Sequence, residues 1–183
     1  KYGIKEIPKD QLDAFMKAKA FKGINVTIPY KQTVIPYLDE ISERAKKIGA
    51  VNTVYNRNGY LYGDNTDFSG MVALIRRNGI ELQGRKVLIL GSGGTSKTAF
   101  AVAEELGARE VYRVSRSAKD GAISYEDALK NHTDAEILIN TTPCGMFPDT
   151  DCVPVDIDLF PRLEGVVDAV YNPLRTKLVV SAL

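Results

Sequence analysis

The sequence predicts an α/β fold with a doubly wound parallel sheet and a second, smaller α/β domain. From about residue 85 onward, strands and helices alternate at short and regular spacing, which is typical of a parallel sheet covered by helices. Before residue 68 the elements are less regular and include a predicted β-hairpin. We therefore expect a smaller domain over residues 1–68 and a Rossmann-type domain over residues 69–183.

Local patterns predict each element of the first part. They predict a helix over 10–21 capped by Asp10, a buried strand over 23–29 stopped by Pro29, and a helix over about 39–47 that Gly49 ends. Asn58-Gly59 separates two β-rich runs and predicts a hairpin over 50–64. A helix over 66–79, ending at Gly79, is expected to join the two domains.

The second part contains four predicted strands. They cover 85–90, 110–115, 136–140 and 165–171, with helices over 95–106 and about 124–130 between the first three. Gly107 is expected to end the first of these helices, and Ser124 is expected to cap the second.

Composition excludes several classes of partner. The chain has 183 residues, 44% of them hydrophobic and 26% charged, and its net charge is +1. A net charge this small gives no electrostatic case for binding nucleic acid or a membrane surface, and no apolar run is long enough to span a bilayer. We expect a cytoplasmic protein, monomeric or homodimeric, whose partner is a small-molecule substrate.

Cysteine and histidine are scarce. Cys144 and Cys152 are the only cysteines, their spacing matches no zinc motif, and we expect two reduced thiols. His132 is the only histidine and lies in a polar stretch. A Ser-His-Asp triad and a multi-histidine metal site are therefore disfavoured, and no metal is expected.

The segment LILGSGGTSKTA, residues 88–99, allows two interpretations. A phosphate-binding Walker loop needs glycine directly before its lysine, where this chain has Ser96, and it needs a later strand that ends in an acid. A dinucleotide turn needs Gly-x-Gly-x-x-Gly or Ala between a strand and a helix, and Gly91 and Gly93 match it with Ser96 as the last small residue. We favour the dinucleotide turn, with the pyrophosphate over the helix N-terminus.

The second predicted strand indicates which dinucleotide. NAD sites usually carry an acid there, but this chain offers basic and hydroxyl residues, namely Arg113, Ser115, Arg116, Ser117 and Lys119. A guanidinium pairs with a 2′-phosphate, and one such charge pair is enough for about tenfold or better preference for NADP. The alternative is a solvated basic loop without a ligand.

Two residues of the first part are candidates for chemistry. Lys31 follows the predicted strand in NVTIPYK, and the ends of strands often border clefts. Asp67 lies in GDNTDFSG, where it either takes part in a site or caps the following helix. By residue type alone, Lys31 is more often a surface charge than a catalytic group.

Several strings together resemble one enzyme family. GINVTIPYK, IGAVNT, GDNTDFSG, ILGSGGTSKTA, INTTPCGM and VDAVYNPLRT occur in the order and spacing of the shikimate dehydrogenase family. The resemblance covers nearly the whole chain. It implies reversible, NADP-dependent reduction of 3-dehydroshikimate to shikimate, as in aromatic amino acid (chorismate) biosynthesis. A quinate/shikimate dehydrogenase that uses NAD or NADP, and an inactive cofactor-binding fragment, are the alternatives.

The resemblance also implies roles for individual residues. Lys31 and Asp67 match the catalytic pair, and Thr27, Asn52, Asp67 and Tyr171 match the substrate-binding residues. The cofactor-binding residues that it implies are Gly91, Ser92, Gly93, Gly94 and Thr95 in the glycine turn, Ser115, Arg116, Ser117 and Lys119 in the 2′-phosphate loop, and Thr141, Thr142 and Ala169 elsewhere.

The implied chemistry is proton transfer coupled to hydride transfer. Reduction of a ketone creates an alkoxide. An acid within hydrogen-bond reach of the alkoxide oxygen typically increases the reaction rate about 100- to 10,000-fold. We expect Lys31 and Asp67 to titrate as a coupled pair, so either one can be the proton donor. Since the family has a longer first segment, with a serine pair for the substrate carboxylate, and a longer last segment, we expect the chain to be truncated at both ends.

Overall fold

The computed structural model describes residues 2–183 and divides into two compact units between Thr66 and Asp67. The first unit contains a mixed four-stranded sheet in the order β1-β3-β4-β2, in which β2 and β4 run parallel and the other pairs run antiparallel. Its elements are α1 (Leu12–Ala18), β1 (Gly23–Asn25), β2 (Glu40–Ile41), α2 (Glu43–Ile48), β3 (Thr53–Arg57) and β4 (Tyr60–Asp64), with short 3₁₀ helices at Lys9–Gln11 and Ile35–Tyr37.

The hairpin between β3 and β4 forms as the sequence predicts. Asn58 and Gly59 adopt positive φ angles of 53° and 87°, which match the right-handed twist of the two strands. On the inner face of the hairpin, Val54 and Leu61 are fully buried. Gly49, at φ 71°, ends α2 as predicted.

Three details of the first unit differ from the sequence prediction. The helix predicted over about 39–47 begins only at Glu43, because Glu40–Ile41 form β2. Asp10 does not cap α1, because the helix begins after a 3₁₀ turn and Gln11 occupies the cap position. The predicted buried strand over 23–29 is only three residues long and largely exposed, because β1 is an edge strand. The chain leaves the sheet after Asn25, and a cis peptide bond precedes Pro29.

The second unit contains a parallel sheet in the order β6-β5-β7-β8. Its elements are α3 (Asp67–Arg77), β5 (Lys86–Leu90), α4 (Gly94–Glu105), β6 (Glu110–Val114), α5 (Tyr125–Asn131), β7 (Ile137–Asn140), β8 (Gly165–Asp168) and α6 (Lys177–Ser181), with a 3₁₀ turn at Ile157–Leu159. The predicted strand over 165–171 is too long, because the chain leaves the sheet after Asp168.

Central strand β5 is buried on both faces. Val87 and Ile89 pack with residues of α3 and α4, whereas Leu88 and Leu90 pack with Ala128 of α5 on the opposite face. Helices therefore cover the sheet on both sides, which confirms the predicted doubly wound architecture. The chain passes from β5 to β6 on one side and then to β7 on the other, so a crevice lies beyond the carboxyl ends of β5 and β7.

A charged cluster lies at the opposite edge of this sheet. The Lys86 ammonium is nearly buried at the start of β5 and lies 2.6 Å from a carboxylate oxygen of Asp134 and 3.9 Å from one of Glu110. The hydrogen bond from Lys86 holds the pKa of the Asp134 carboxyl below its ordinary value. This cluster is remote from the crevice, because it occupies the amino ends of the strands.

The structure contradicts the prediction of two reduced thiols. Cys144 and Cys152 form a disulfide, with their Cα atoms 5.1 Å apart, and it closes a short loop after β7. Gly145, at φ 90°, allows the chain to turn back within that loop. Across residues 2–183, every helix is too short or too polar to cross a bilayer, and His, Cys, Asp and Glu side chains form no cluster of three that would hold a metal ion.

Candidate functional site

The glycine turn joins β5 to α4 at the crevice. Gly91 has a φ of 119°, a conformation that favours glycine, and a Cβ there would lie 2.6 Å from Oγ1 of Thr141. A Cβ at Gly93 would meet nothing within 4 Å, so this glycine leaves open space beside the turn. The turn is thus closely packed on one side and open on the other, as expected of a phosphate cradle.

Helix α4 begins at Gly94, directly after the turn. Its cap residue is Gly93, which has no side chain to satisfy the first-turn N–H groups, and the helix is 12 residues long. Such an N-terminus attracts anions through its N–H groups and its dipole. Ser96 is fully buried, and its hydroxyl has no hydrogen-bond partner among residues 2–183. The small side chain at this position permits α4 to pack closely on the sheet.

Threonines from the loop after β7 reach the same turn. The Thr141 hydroxyl donates to the carbonyl of Leu90 at 2.7 Å, which ties this loop to the end of β5. Both the backbone N–H and the hydroxyl of Thr142 donate to Oδ1 of Asn140. Within the second unit, the structure therefore brings together Gly91, Thr141 and Thr142, as expected of residues that share one cofactor.

A buried polar network holds the loops after β7 and β8, and the sequence prediction did not include it. Nδ2 of Asn140 donates to Oδ1 of Asp168 at 2.9 Å, and Oδ2 of Asp168 accepts from the Thr176 hydroxyl at 2.6 Å. The Asn140 carbonyl also accepts from the backbone N–H of Ala169 at 2.9 Å. In the sequence, Asn140 in INTTP and Asp168 at the end of VVD are the polar residues that could have indicated this network. Pairing them requires knowing that β7 and β8 are neighbours.

The basic loop follows β6. Ser115 is buried, and its hydroxyl lies 3.5 Å from that of Ser117, whereas Arg116, Ser117 and Lys119 are exposed. Burial raises the pKa of the Tyr125 hydroxyl, and the nearby Arg116 guanidinium opposes this shift. Where NAD enzymes place an acid after the second strand, this chain has a hydroxyl and a guanidinium.

In the first unit, Lys31 and Thr27 belong to one turn after β1. The backbone N–H of Tyr30 donates to the carbonyl of Thr27 at 2.9 Å, and the carbonyl of Lys31 accepts from the N–H of Val51 at 2.7 Å. Thr27 is exposed and Lys31 is half-buried. The backbone of this turn is therefore fixed against the segment that carries Asn52.

Asn52 is buried and makes an extensive set of hydrogen bonds. Its Nδ2 donates to Oγ1 of Thr66 at 3.0 Å, and its Oδ1 accepts from the Thr66 N–H at 2.8 Å and from the Thr53 hydroxyl at 3.1 Å. The Asn52 carbonyl accepts from the N–H of Val26 at 2.7 Å. Asn52 thus holds the segments of Val26, Thr53 and Thr66 together, in addition to the substrate role that the resemblance implies.

The remaining predicted residues lie in the second unit. Asp67 is the first residue of α3, Ala169 follows the last residue of β8, and Tyr171 is 81% exposed. Lys31 and Asp67 therefore belong to different units, and their pairing stays a prediction.

These features define the class of protein. A glycine turn between a buried strand and a 12-residue helix, at the switch point of a parallel sheet, is a dinucleotide-binding domain of the kind found in oxidoreductases. The chain belongs to the shikimate dehydrogenase family. Residues 1–54 match the family model described as the shikimate dehydrogenase substrate binding domain.

Relatives and solved structures establish this membership. The chain is 39% identical over 186 residues to the NADP(+) shikimate dehydrogenase of Clostridium beijerinckii, covering 96% of this chain and 69% of that protein. Shikimate dehydrogenase 1 from Peptoclostridium difficile superposes with a TM-score of 0.85 at 38% identity, over 96% of this chain and 68% of that one.

Several of the similar solved structures contain ligands, and one of them holds both NADP(H) and shikimate. The shikimate 5-dehydrogenase from Thermus thermophilus, in complex with NADP(H) and shikimate, matches with a TM-score of 0.81 at 33% identity. The match covers 96% of this chain and 69% of that chain. These comparisons confirm the predicted family and the Rossmann-type fold.

Proposed function

We propose that this protein catalyses the NADP-dependent, reversible reduction of 3-dehydroshikimate to shikimate in aromatic amino acid biosynthesis. The observation that carries the proposal is membership of a family whose curated relatives include an NADP(+) shikimate dehydrogenase at 39% identity. The chain also carries a glycine turn and a basic loop at the positions where a dinucleotide binds.

The residues present fit an NADP cofactor. The cradle at Gly91 and Gly93 and the N-terminus of α4 suit the pyrophosphate, since a side chain at Gly93 would fill the open space. Arg116 and Lys119, with the hydroxyls of Ser115 and Ser117, suit a 2′-phosphate. We assign the rest of the cradle to Ser92, Gly94 and Thr95 and the nicotinamide end to Thr141, Thr142 and Ala169. When bound, the nicotinamide supplies or accepts the hydride.

Lys31 and Asp67 are the residues that we assign to proton transfer. In the reductive direction an ammonium donates a proton to the oxygen that gains negative charge, and it stabilises that charge before the transfer is complete. A carboxylate raises the pKa of a neighbouring ammonium and can return the proton to it.

Thr27, Asn52 and Tyr171 are the further residues that we assign to the substrate. Hydroxyl and amide groups recognise the ring hydroxyls of a polyol by hydrogen bonds and fix the orientation of the reacting carbon. The hydrogen bonds that hold Asn52 to Thr66 support this role, because a preorganised amide loses little entropy on binding.

Turnover with matched substrates and cofactors tests the proposal. We expect reduced nicotinamide to form when the protein is mixed with shikimate and NADP, and to form more slowly with NAD. Quinate in place of shikimate tests the alternative of a quinate/shikimate dehydrogenase. A folded sample that binds NADP but turns over neither substrate would contradict the proposed activity and would favour a cofactor-binding fragment.

Cytoplasmic location and a monomeric or homodimeric state remain predictions. The Cys144–Cys152 disulfide argues against the predicted cytoplasmic location, because cytosolic disulfides are rare and usually transient. Mass spectrometry of alkylated protein from intact cells measures whether this pair is reduced there. Light scattering measures the oligomeric state.

A further inference from the structure

Arg113 lies on β6, two residues before the basic loop, and its side chain connects that loop to α4. One of its guanidinium nitrogens, Nη2, donates to the backbone carbonyl of Asp120. The guanidinium carbon also lies 5.9 Å from the centre of the Phe100 ring on α4. A single half-buried side chain thus contacts both the loop assigned to the 2′-phosphate and the helix whose N-terminus is assigned to the pyrophosphate.

The basic loop needs such a restraint. Ala118 and Asp120 have φ angles of 45° and 55°, in the left-handed region that residues with a Cβ seldom occupy. Non-glycine residues persist in this region when the surrounding structure holds them there. Gly121, at φ 75°, completes a run of backbone that has little regular structure to stabilise it.

Within the loop, backbone hydrogen bonds close two local turns, from the Ala118 N–H to the Ser115 carbonyl at 3.4 Å and from the Ala122 N–H to the Lys119 carbonyl at 3.0 Å. Longer-range backbone bonds join the two ends of the loop. The N–H of Ser115 donates to the carbonyl of Ile123 at 2.9 Å, and the N–H of Ile123 donates to the carbonyl of Arg113 at 2.8 Å. Between these ends, the bond from the Arg113 guanidinium to the Asp120 carbonyl attaches the loop to the sheet. A hydrogen bond from a charged donor is stronger than one between neutral groups.

We propose that Arg113 is a specificity-determining positioning residue: it holds the 115–121 loop in the conformation that presents Arg116 and Lys119 to the 2′-phosphate of NADP. Its own guanidinium is engaged by the Asp120 carbonyl and the Phe100 ring. It therefore favours NADP over NAD through the loop, without being a ligand of the phosphate. This inference rests on the proposed use of NADP.

The test is the ratio of the NADP and NAD dissociation constants, measured by titration calorimetry on the same sample. We expect Arg113→Met, which keeps a long apolar stem against Phe100, to weaken NADP about tenfold, the lower end of what a charge-assisted hydrogen bond contributes. NAD affinity should change less than about twofold, because NAD lacks the 2′-phosphate. The matched control is Arg109→Met, which removes an arginine beyond the opposite end of the same strand and should leave the ratio unchanged.

A second background separates positioning from direct charge. In a variant with Arg116→Ala and Lys119→Ala, the charged ligands of the phosphate are already absent, so adding Arg113→Met should change NADP affinity less than about twofold. An undiminished tenfold loss of NADP affinity in this background would overturn the proposal. Equal losses of NADP and NAD affinity in the Arg113→Met single variant would overturn it as well. Should Arg113→Met fail to fold, Arg113→Lys replaces the planar fork by one ammonium and should raise the ratio of the NADP to the NAD dissociation constant about threefold.

The two proposals fail in different ways. Because the readout is binding, absence of shikimate turnover in a protein that prefers NADP contradicts the proposed activity alone. An unchanged NADP to NAD ratio in Arg113→Met, together with normal turnover in the unaltered protein, contradicts the role of Arg113 alone.

Discussion

Asn140 and Asp168 end neighbouring parallel strands, and a 2.9 Å hydrogen bond joins Nδ2 of the first to Oδ1 of the second. Each side chain also accepts hydrogen bonds from the loop that follows its own strand. Asn140 accepts from Thr142, and Asp168 accepts from the Val170 N–H and the Thr176 hydroxyl. One side-chain pair thus fixes two loops at the crevice edge of the sheet, including the residues assigned to the nicotinamide end of the cofactor.

Asn140→Ala should destabilise the protein. The side chain is fully buried, and its loss leaves polar groups of Asp168 and Thr142 without this partner, which costs about 1–3 kcal/mol. Chemical denaturation measures the free energy of unfolding. The control is Asn78→Ala, because Asn78 is exposed and its side-chain amide donates to the carbonyl of Leu74 within the same helix end, so we expect a change within about 0.5 kcal/mol. Equal effects of the two substitutions would contradict the structural role of the pair.

Gly93→Ala should weaken NADP without unfolding the protein. A Cβ there meets no protein atom within 4 Å, but it occupies the space assigned to the pyrophosphate, so we expect at least about tenfold weaker binding. Titration calorimetry measures the dissociation constant, and thermal unfolding measures stability. Gly70→Ala serves as the control, since Gly70 lies in α3 and a Cβ there also meets nothing. Unchanged NADP affinity in Gly93→Ala would place the cofactor elsewhere.

Arg116→Ala should weaken NADP far more than NAD. The exposed guanidinium is assigned to the 2′-phosphate, and one charge pair near a surface corresponds to about tenfold or more in affinity. Raising the salt concentration should reduce the effect, because ions screen exposed charges. Similar losses for both cofactors would remove the argument for a 2′-phosphate site at this loop.

The contribution of Asp134 to stability should depend on pH. The hydrogen bond from Lys86 lowers the folded-state pKa of this carboxyl below its unfolded value of about 3.9. The stabilisation is therefore fully present above the unfolded pKa and is lost as the pH falls through the folded-state pKa. Asp134→Asn should therefore reduce the free energy of unfolding at pH 7 and have a progressively smaller effect below about pH 4.

Denaturant titrations at several pH values test the Asp134 prediction. Asp13→Asn is the control, because Asp13 forms an exposed i,i+4 pair with Lys17 and should contribute little at any pH. A pH-independent difference between the Asp134→Asn variant and the unaltered protein would show that the ion pair with Lys86 is not the cause.

Much of the fold follows from local sequence. Asn58-Gly59 predicts the hairpin because few dipeptides adopt two positive φ angles. Ser124 predicts a helix start because serine hydroxyls cap helices, and in the structure its hydroxyl accepts from the Asp127 N–H at 3.0 Å. The glycine turn is equally local. The strand predicted over 23–29 failed because its apolar residues lie at a sheet edge and in an irregular turn, which periodicity cannot distinguish from a buried strand.

The parts that the sequence prediction missed are long-range. Asn140 and Asp168 are 28 residues apart, and their contact depends on β7 and β8 being neighbours. The disulfide requires the chain to reverse at Gly145, which residue counts alone do not indicate. The bond from Arg113 to the Asp120 carbonyl likewise depends on the path of a loop with left-handed residues.

We assign Lys31 to proton transfer in NADP-dependent shikimate oxidation, and the Lys31→Ala substitution tests this role. The measurement pairs the turnover number with shikimate and the NADP dissociation constant on one sample, with the exposed Lys22→Ala as the control. We expect turnover to fall about 100- to 10,000-fold while NADP affinity changes less than about twofold. Retained turnover, or a large loss of NADP binding, would contradict this role for Lys31.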